Sequence, residues 1–255
     1  MTVHEVAEEG FGRAAETYER VRPSYPTDAV AWLARNLRIG PGRTVLDLAA
    51  GTGKFTRLLV PFRAKLLAAE PVDGMRRAFV AAVPGVAMVA AVAEELPVAS
   101  GSLDAVTVAQ AFHWFDADRA FDEFGRALRP RGRVGLIWNA RDRSSDWVNA
   151  VWSIMDRVEK RAPWRDREQW RDSTLGARAG FGPLQTEAFR HEQPITPTGV
   201  IERVASVSHV AVLPPAERKA VLDEVRHVLA THPDARGRRE LRIPYRVDVY
   251  WCERR

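Results

Sequence analysis

TVLDLAAGTGKFTRLLVPF, residues 44–62, sets an apolar run, a glycine turn and a helical stripe in immediate succession. Val45, Leu46 and Leu48 make the short apolar run typical of parallel strands buried on both faces. Gly51 and Gly53 allow positive φ and let another molecule approach the backbone closely. Phe55, Leu58, Leu59 and Phe62 then recur at helical spacing, so the turn sets a helix N-terminus over the carboxyl end of a strand. Such a junction is either plain α/β architecture or a ligand cradle.

Spacing separates the ligands that use this geometry. In a Walker A loop, Gly53-Lys54 would need Ser or Thr next and a glycine five residues earlier; Phe55 and Leu48 stand there, which excludes a phosphate loop. A dinucleotide fingerprint starting at Gly51 would need Gly or Ala where Thr56 stands. The residues instead resemble the first motif of class I S-adenosylmethionine (SAM)-dependent methyltransferases, an acidic residue followed by G-x-G-x-G. Asp47, Ala49, Gly51 and Gly53 carry that resemblance, with Ala49 in place of the first glycine. It implies that these residues and Thr52 bind SAM and release S-adenosylhomocysteine.

KLLAAE, residues 65–70, reads as the next strand, and Pro71 holds Glu70 extended before a helix that opens near Asp73. A carboxylate at a strand end about twenty residues beyond a glycine loop is placed to accept both hydrogens of a ribose diol. The resemblance assigns Glu70 that role, with Pro71 and Met75 beside it in the cofactor site; the alternative is a solvated strand-end carboxylate. Val86 to Val92 and Leu103 to Ala109 are the third and fourth apolar runs. Between them the family carries an Asp for the adenine amino group, where this chain has Val92. Adenine recognition then falls to the backbone near Ala93 and Glu94, or to the Glu94 side chain.

Gln110 to Asp116, QAFHWFD, leads from the fourth strand into a helix over Ala117 to Leu128, with Asp116 as N-cap. In the family this stretch emerges at the methyl-transfer face, and Gln110 joins the cofactor residues. The Asn- or Asp-Pro-Pro-aromatic signature of amino-methylating enzymes that act on nucleic acid or protein is absent. The AQAFHWFD version resembles the small-molecule group that includes trans-aconitate methyltransferase and similar carboxylate O-methyltransferases. His113 is the candidate catalytic residue, and His113, Trp114 and Trp138 the candidate substrate contacts; an imidazole suits hydrogen bonding to an acid or accepting a proton. Alternatively, His113 and Trp114 only pack the loop. Upstream, FGRAAETYERVRPSYP, residues 11–26, combines a helical stripe with an R-P-x-Y-P tail similar to the cofactor-covering start of related enzymes. Tyr18, Arg22 and Tyr25 are therefore candidates to cover the cofactor, Arg22 being suited to its carboxylate.

A chain of 255 residues accommodates one large α/β domain with insertions. Its net charge of +5 does not signal nucleic acid: of 38 basic residues only Lys54, Lys65, Lys160 and Lys219 are lysine, and the arginines are interspersed with acids. A single cysteine, Cys252, excludes an intrachain disulfide and a cysteine-cluster metal site, so no metal is expected. No apolar stretch nears the roughly twenty residues of a membrane span, and MTVHEVAEEG lacks the features of a signal peptide. These features lead to the expectation of a cytoplasmic protein without nucleic acid or membrane; the resemblance implies a small-molecule substrate, and the chain is expected to be a monomer or homodimer.

Further strands are expected over Arg133 to Asn139, Gln185 to Gln193 and Arg242 to Cys252, with helices over Trp147 to Val158, Thr198 to Ser206 and Pro215 to Thr231. The resemblance implies a Rossmann-like class I methyltransferase fold: a seven-stranded, mostly parallel sheet with an antiparallel last strand and a helical lid. The expected organisation is one domain over residues 1–255, with a cap at 1–30, a SAM-binding core at 31–143, and lid and closing strands at 144–255. The expected reaction is methyl transfer from SAM to a small acceptor, as a carboxylate or phenol O-methyltransferase. The alternatives are a nucleic-acid or protein methyltransferase, and a SAM-binding protein that transfers no methyl.

Overall fold

The computed structural model describes residues 19–159 and 180–255. Tyr18 and most of the N-terminal stripe lie outside the described residues. Among those described, seven strands form one sheet: β1 (Thr44–Leu48), β2 (Lys65–Ala69), β3 (Ala87–Val89), β4 (Leu103–Ala109), β5 (Leu128–Arg141), β6 (Gln185–Ile195) and β7 (Leu241–Glu253). Their order is β3-β2-β1-β4-β5-β7-β6, with β7 antiparallel to the rest. The expected fold is therefore present.

The chain divides into two compact units. The described parts of the first are residues 25–139, 180–189 and 247–255. Its centre is β1, whose Val45, Leu46, Asp47 and Leu48 are all buried. Alternation along the strand sends Leu46 and Leu48 to one face, where they meet Val106, Val108 and the stripe Ala120, Phe121, Phe124 and Ala127 of a helix over Ala117–Ala127. Val45 faces the other way, toward Leu33 and Ala34 of helix α1 (Thr27–Asn36) and toward Phe55 and Leu59 around helix α2 (Thr56–Leu59). Each fully buried Leu or Phe contributes about 1.5–3 kcal/mol, so these two layers hold the sheet from both sides. Helix α3 (Asp73–Ala82) follows β2, and the Ala117–Ala127 helix is α4. At the amino ends of the strands, Asp104 accepts from the Thr44 N–H at 2.8 Å and pairs with Arg43 at 2.9 Å and Arg129 at 2.7 Å. Burial pushes its acidity the other way, but these donors hold the Asp104 carboxyl below the ordinary range.

The described parts of the second unit are residues 19–24, 140–159 and 190–246. Helices α5 (Asp146–Glu159), α6 (Pro197–Ala205), α7 (Ser208–Ala211) and α8 (Pro215–Thr231) belong to it. Trp152, Met155, Val200, Val204, Val225 and Leu229 form its core together with Ile243 and Tyr245 of β7.

Some elements depart from the sequence reading. Helix α1 was not anticipated, although Ala29, Val30, Leu33 and Ala34 fall on one face directly after Pro26. β3 is shorter than the apolar run Val86–Val92 because it is an edge strand, paired only through Ala87, Met88 and Val89 to β2. β5 is longer than expected: it starts at Leu128 opposite Leu103, then bulges so that Arg133 sits opposite Ala105.

Candidate functional site

Register brings the candidate residues to one edge of the sheet. Leu48 is level with Ala69 of β2 and Val108 of β4, while Ala109 is level with Ile137 of β5. The glycine loop after β1, Glu70 after β2, Gln110 after β4 and Trp138 near the end of β5 therefore emerge together. Between β1 and β4 the winding direction reverses, which opens a crevice at the carboxyl ends of the strands.

The loop itself is built for close approach. Ala49, Gly51 and Gly53 have φ of 53°, 57° and 82°. Gly53 serves packing: a Cβ there would lie 2.3 Å from Val83 Cγ2 and 2.8 Å from Phe79 Cδ2 at the end of α3. Gly51 does not, because a Cβ on it would meet no atom within 4 Å. Bare backbone with open space over it is what close approach by another molecule requires. Ala49 and Gln110, with φ of 53° and 62°, are non-glycine residues held in the left-handed region at the ends of adjacent strands. Strain of that kind, of order 1–3 kcal/mol per residue, collects at binding edges.

Two carboxylates organise the loop. Asp47 has no exposed surface; Thr56 Oγ1 donates to its Oδ2, and Thr107 Oγ1 donates to its Oδ1 at 2.9 Å. Burial outweighs both hydroxyls and raises its pKa from 3.8 to about 6. Asp47 thus ties the start of α2 to β4 from beneath the loop. Glu70 is at the edge: its Oε2 accepts from the Gly51 N–H at 3.0 Å and its Oε1 from the Val72 N–H at 2.9 Å. Loop and carboxylate are thereby locked together, with Glu70 bonded to the Gly51 backbone. Thr52 and Met75 are buried around them.

On the β4 side, Ala93 is buried and Glu94 Oε1 accepts from the Asp116 N–H at 2.7 Å, fastening the loop after β3 to the start of α4. Asp116 caps α4 as expected, accepting from the Asp118 and Arg119 N–H groups. His113 lies in a 3₁₀ turn over Phe112–Trp114, its ring 4.8 Å from the Trp114 ring and 5.1 Å from the Trp138 ring. His113 therefore touches both of the other candidate substrate residues. Tyr25 is 8% exposed and packs edge-on against Phe55 at 5.3 Å, in the core beneath the loop. Arg22 belongs to the second unit, where its Nη2 donates to the Ser206 carbonyl at 2.8 Å.

Sequence reasoning missed the left-handed conformations of Ala49 and Gln110 and the partners of Asp47. The second had a signal: an acid inside an apolar strand must find donors, and Thr107 stands directly opposite Asp47 in the β1/β4 register.

Comparison with known proteins agrees with this architecture. The methyltransferase domain family model matches residues 46–136. A protein of Mycobacterium tuberculosis described as an uncharacterized methyltransferase is 40% identical over 235 residues, covering 92% of this chain and 91% of its own. The chain belongs to the class I SAM-dependent methyltransferases. A malonyl-[acyl-carrier protein] O-methyltransferase of Methylococcus capsulatus is 38% identical over 133 residues, 49% of this methyltransferase and 48% of that protein. The solved structure of an Anaeromyxobacter dehalogenans protein, assigned as a type II methyltransferase, superposes with a TM-score of 0.68 at 24% identity and covers 90% of this chain and 97% of its own. SAM is the cofactor of this methyltransferase. Among the described residues no helix is long and apolar enough to cross a membrane.

Proposed function

We propose that this methyltransferase acts on an oxygen of a small acid or phenol, held at the His113 turn. The observation that carries the reading is the cluster of His113 with Trp114 and Trp138 at the carboxyl ends of β4 and β5, on the same sheet edge as Gly51 and Glu70. In this reading Gly51, Thr52 and Gly53 take the cofactor against the loop backbone and Glu70 accepts its ribose hydroxyls. Pro71, Met75, Ala93 and Glu94 surround the adenosine, and Gln110 borders the reacting end. Asp47 and Tyr25 act from below, setting the loop.

When bound, SAM supplies an electrophilic methyl on its sulfonium. The work left to the chain is to strip water from an acceptor oxygen and hold it in line. Trp114 and Trp138 exclude water, and the His113 imidazole donates to an acidic oxygen or takes the proton of a phenol. A carboxylate acceptor needs no base at all. The malonyl-carrier O-methyltransferase similarity supports an acidic acceptor without naming it.

A panel of small carboxylic acids, phenols and amines, assayed for S-adenosylhomocysteine release, tests the reading. Acids or phenols are expected to turn over, and His113→Ala to lower kcat at least tenfold while SAM affinity by calorimetry stays within twofold. Methylation of RNA or protein with every small acceptor ignored, or loss of SAM binding in His113→Ala, would overturn it.

A further inference from the structure

The second unit holds a group of buried nitrogens with no acceptor. Arg203 on α6 is 7% exposed, and neither its Nε nor its Nη1 has a hydrogen-bond partner. Trp152 on α5 and His209 on α7 are equally enclosed, with Trp152 Nε1 and His209 Nε2 also unpartnered. The Arg203 and Arg141 guanidinium carbons lie 5.9 Å and 5.4 Å from the Trp152 ring centre. The Arg141 charge is answered by Asp156 at 3.1 Å and Glu159 at 3.2 Å. Nothing among the described residues answers Arg203 in that way.

Guanidinium stays protonated at any working pH, so Arg203 cannot escape its burial by losing charge as a lysine would. An enclosed, uncompensated cation is among the costlier arrangements in a protein, and only part of that cost returns through the indole face. Surrounding groups feel the excess: burial first, then Arg141, Arg22 and Arg203, push the His209 pKa down to about 4, against the opposing pull of Glu159. Arg203 and Trp152 offer only donors here. A group of buried donors without an acceptor is complementary to an anion. With Arg141 already answered, the flat fork of the Arg203 guanidinium matches the two oxygens of one carboxylate group.

We propose that Arg203, with Arg22, Trp152 and His209, forms a binding site in the second unit for the carboxylate of a small organic acid. Arg203, Trp152 and His209 are outside the cofactor assignment, and the site is read by binding alone. Melting temperature is followed in malonate or inorganic phosphate at constant ionic strength, with SAM affinity measured by calorimetry on the same samples. Malonate at tenfold excess over its Kd should raise Tm by roughly 3–6 °C, and phosphate should not. Arg203→Met should melt no lower than the native chain in the absence of anion, because a buried unpaired charge is gone, and should lose the malonate response while binding SAM as before. If Arg203→Met does not fold, Arg203→Lys is read instead, and its malonate response should fall at least threefold. Equal malonate responses in native and variant chains would overturn the site. So would a phosphate response matching malonate, or a tenfold loss of SAM affinity in the variant, which would give the guanidinium to the cofactor carboxylate. Intact SAM binding with no malonate response defeats this inference and leaves the methyltransferase reading standing.

Discussion

Replacing Asp47 by Asn should stabilise the protein at neutral pH and do progressively less as the solution is made acid. The carboxyl is fully enclosed, its two oxygens served only by the hydroxyls of Thr56 and Thr107, and its pKa is raised from 3.8 to about 6. The folded chain therefore holds the Asp47 proton more tightly than the unfolded chain does. Between pH 3.8 and about 6 the native state binds more protons, so the contribution of this residue to stability falls as pH rises through that window. Above it, the buried charge costs on the order of 3 kcal/mol relative to the protonated group. Asparagine keeps the shape and one acceptor, and a threonine hydroxyl can turn to accept from its amide. Urea unfolding of both chains at pH 4, 5, 6 and 7 should show the Asp47→Asn advantage growing between pH 4 and about 6 and level above that, at about 2–3 kcal/mol. A difference that is flat with pH, or that grows toward acid, would refute the account. Asp104→Asn provides the opposite sign. Its carboxyl is held below the ordinary range, so its stabilisation is present above pH 3.8 and disappears only as pH falls further.

Other substitutions separate what the loop does for the fold from what it does for the cofactor. Ala49→Gly relieves a left-handed alanine, φ 53°, and should change stability by about +0.5 to +1 kcal/mol after the added freedom of the unfolded chain is counted, with a loss in urea unfolding contradicting it. Gly53→Ala puts a methyl 2.3 Å from Val83 Cγ2 and should cost about 2–4 kcal/mol by the same measurement. Gly51→Val, whose Cβ meets no protein atom within 4 Å, should leave a folded chain that no longer binds SAM in calorimetry; global unfolding would assign this glycine to the fold. Glu70→Ala should weaken SAM by about 1–3 kcal/mol, and an unchanged affinity would remove Glu70 from the site.

The parts of this molecule that were legible in its sequence are those whose physics is local. Val45 to Leu48, the two glycines and the Phe55 stripe announce strand, turn and helix because burial on both faces, positive φ and helical periodicity leave separate marks within nineteen residues. Glu70 was legible because Pro71 forces the strand to end there, and Asp116 because a short acid before an apolar stripe is an N-cap. What escaped depends on distant chain. The Asp47 to Thr107 bond exists only once β1 and β4 lie in register, sixty residues apart in sequence. The left-handed turn at Ala49 is imposed by the strand behind it and the loop ahead of it, not by its own side chain. Arg203 is an intermediate case: it falls on the same helical face as Val200 and Val204, so a charge on an apolar stripe was visible, but its lack of a counter-ion was not.

The strand order has a consequence for how the chain is made. β7 is synthesised after the other six strands, yet it occupies the place between β5 and β6. Until it arrives, β5 presents a bare edge to the cell and β6 has no neighbour to pair with, the condition in which nascent sheets capture one another. On the ribosome the first five strands can assemble in the order in which they appear, but closure waits for the last. A stalled or truncated chain that stops before Leu241 would be a half-built sheet with an adhesive border, a target for chaperones and proteases and not a smaller working enzyme.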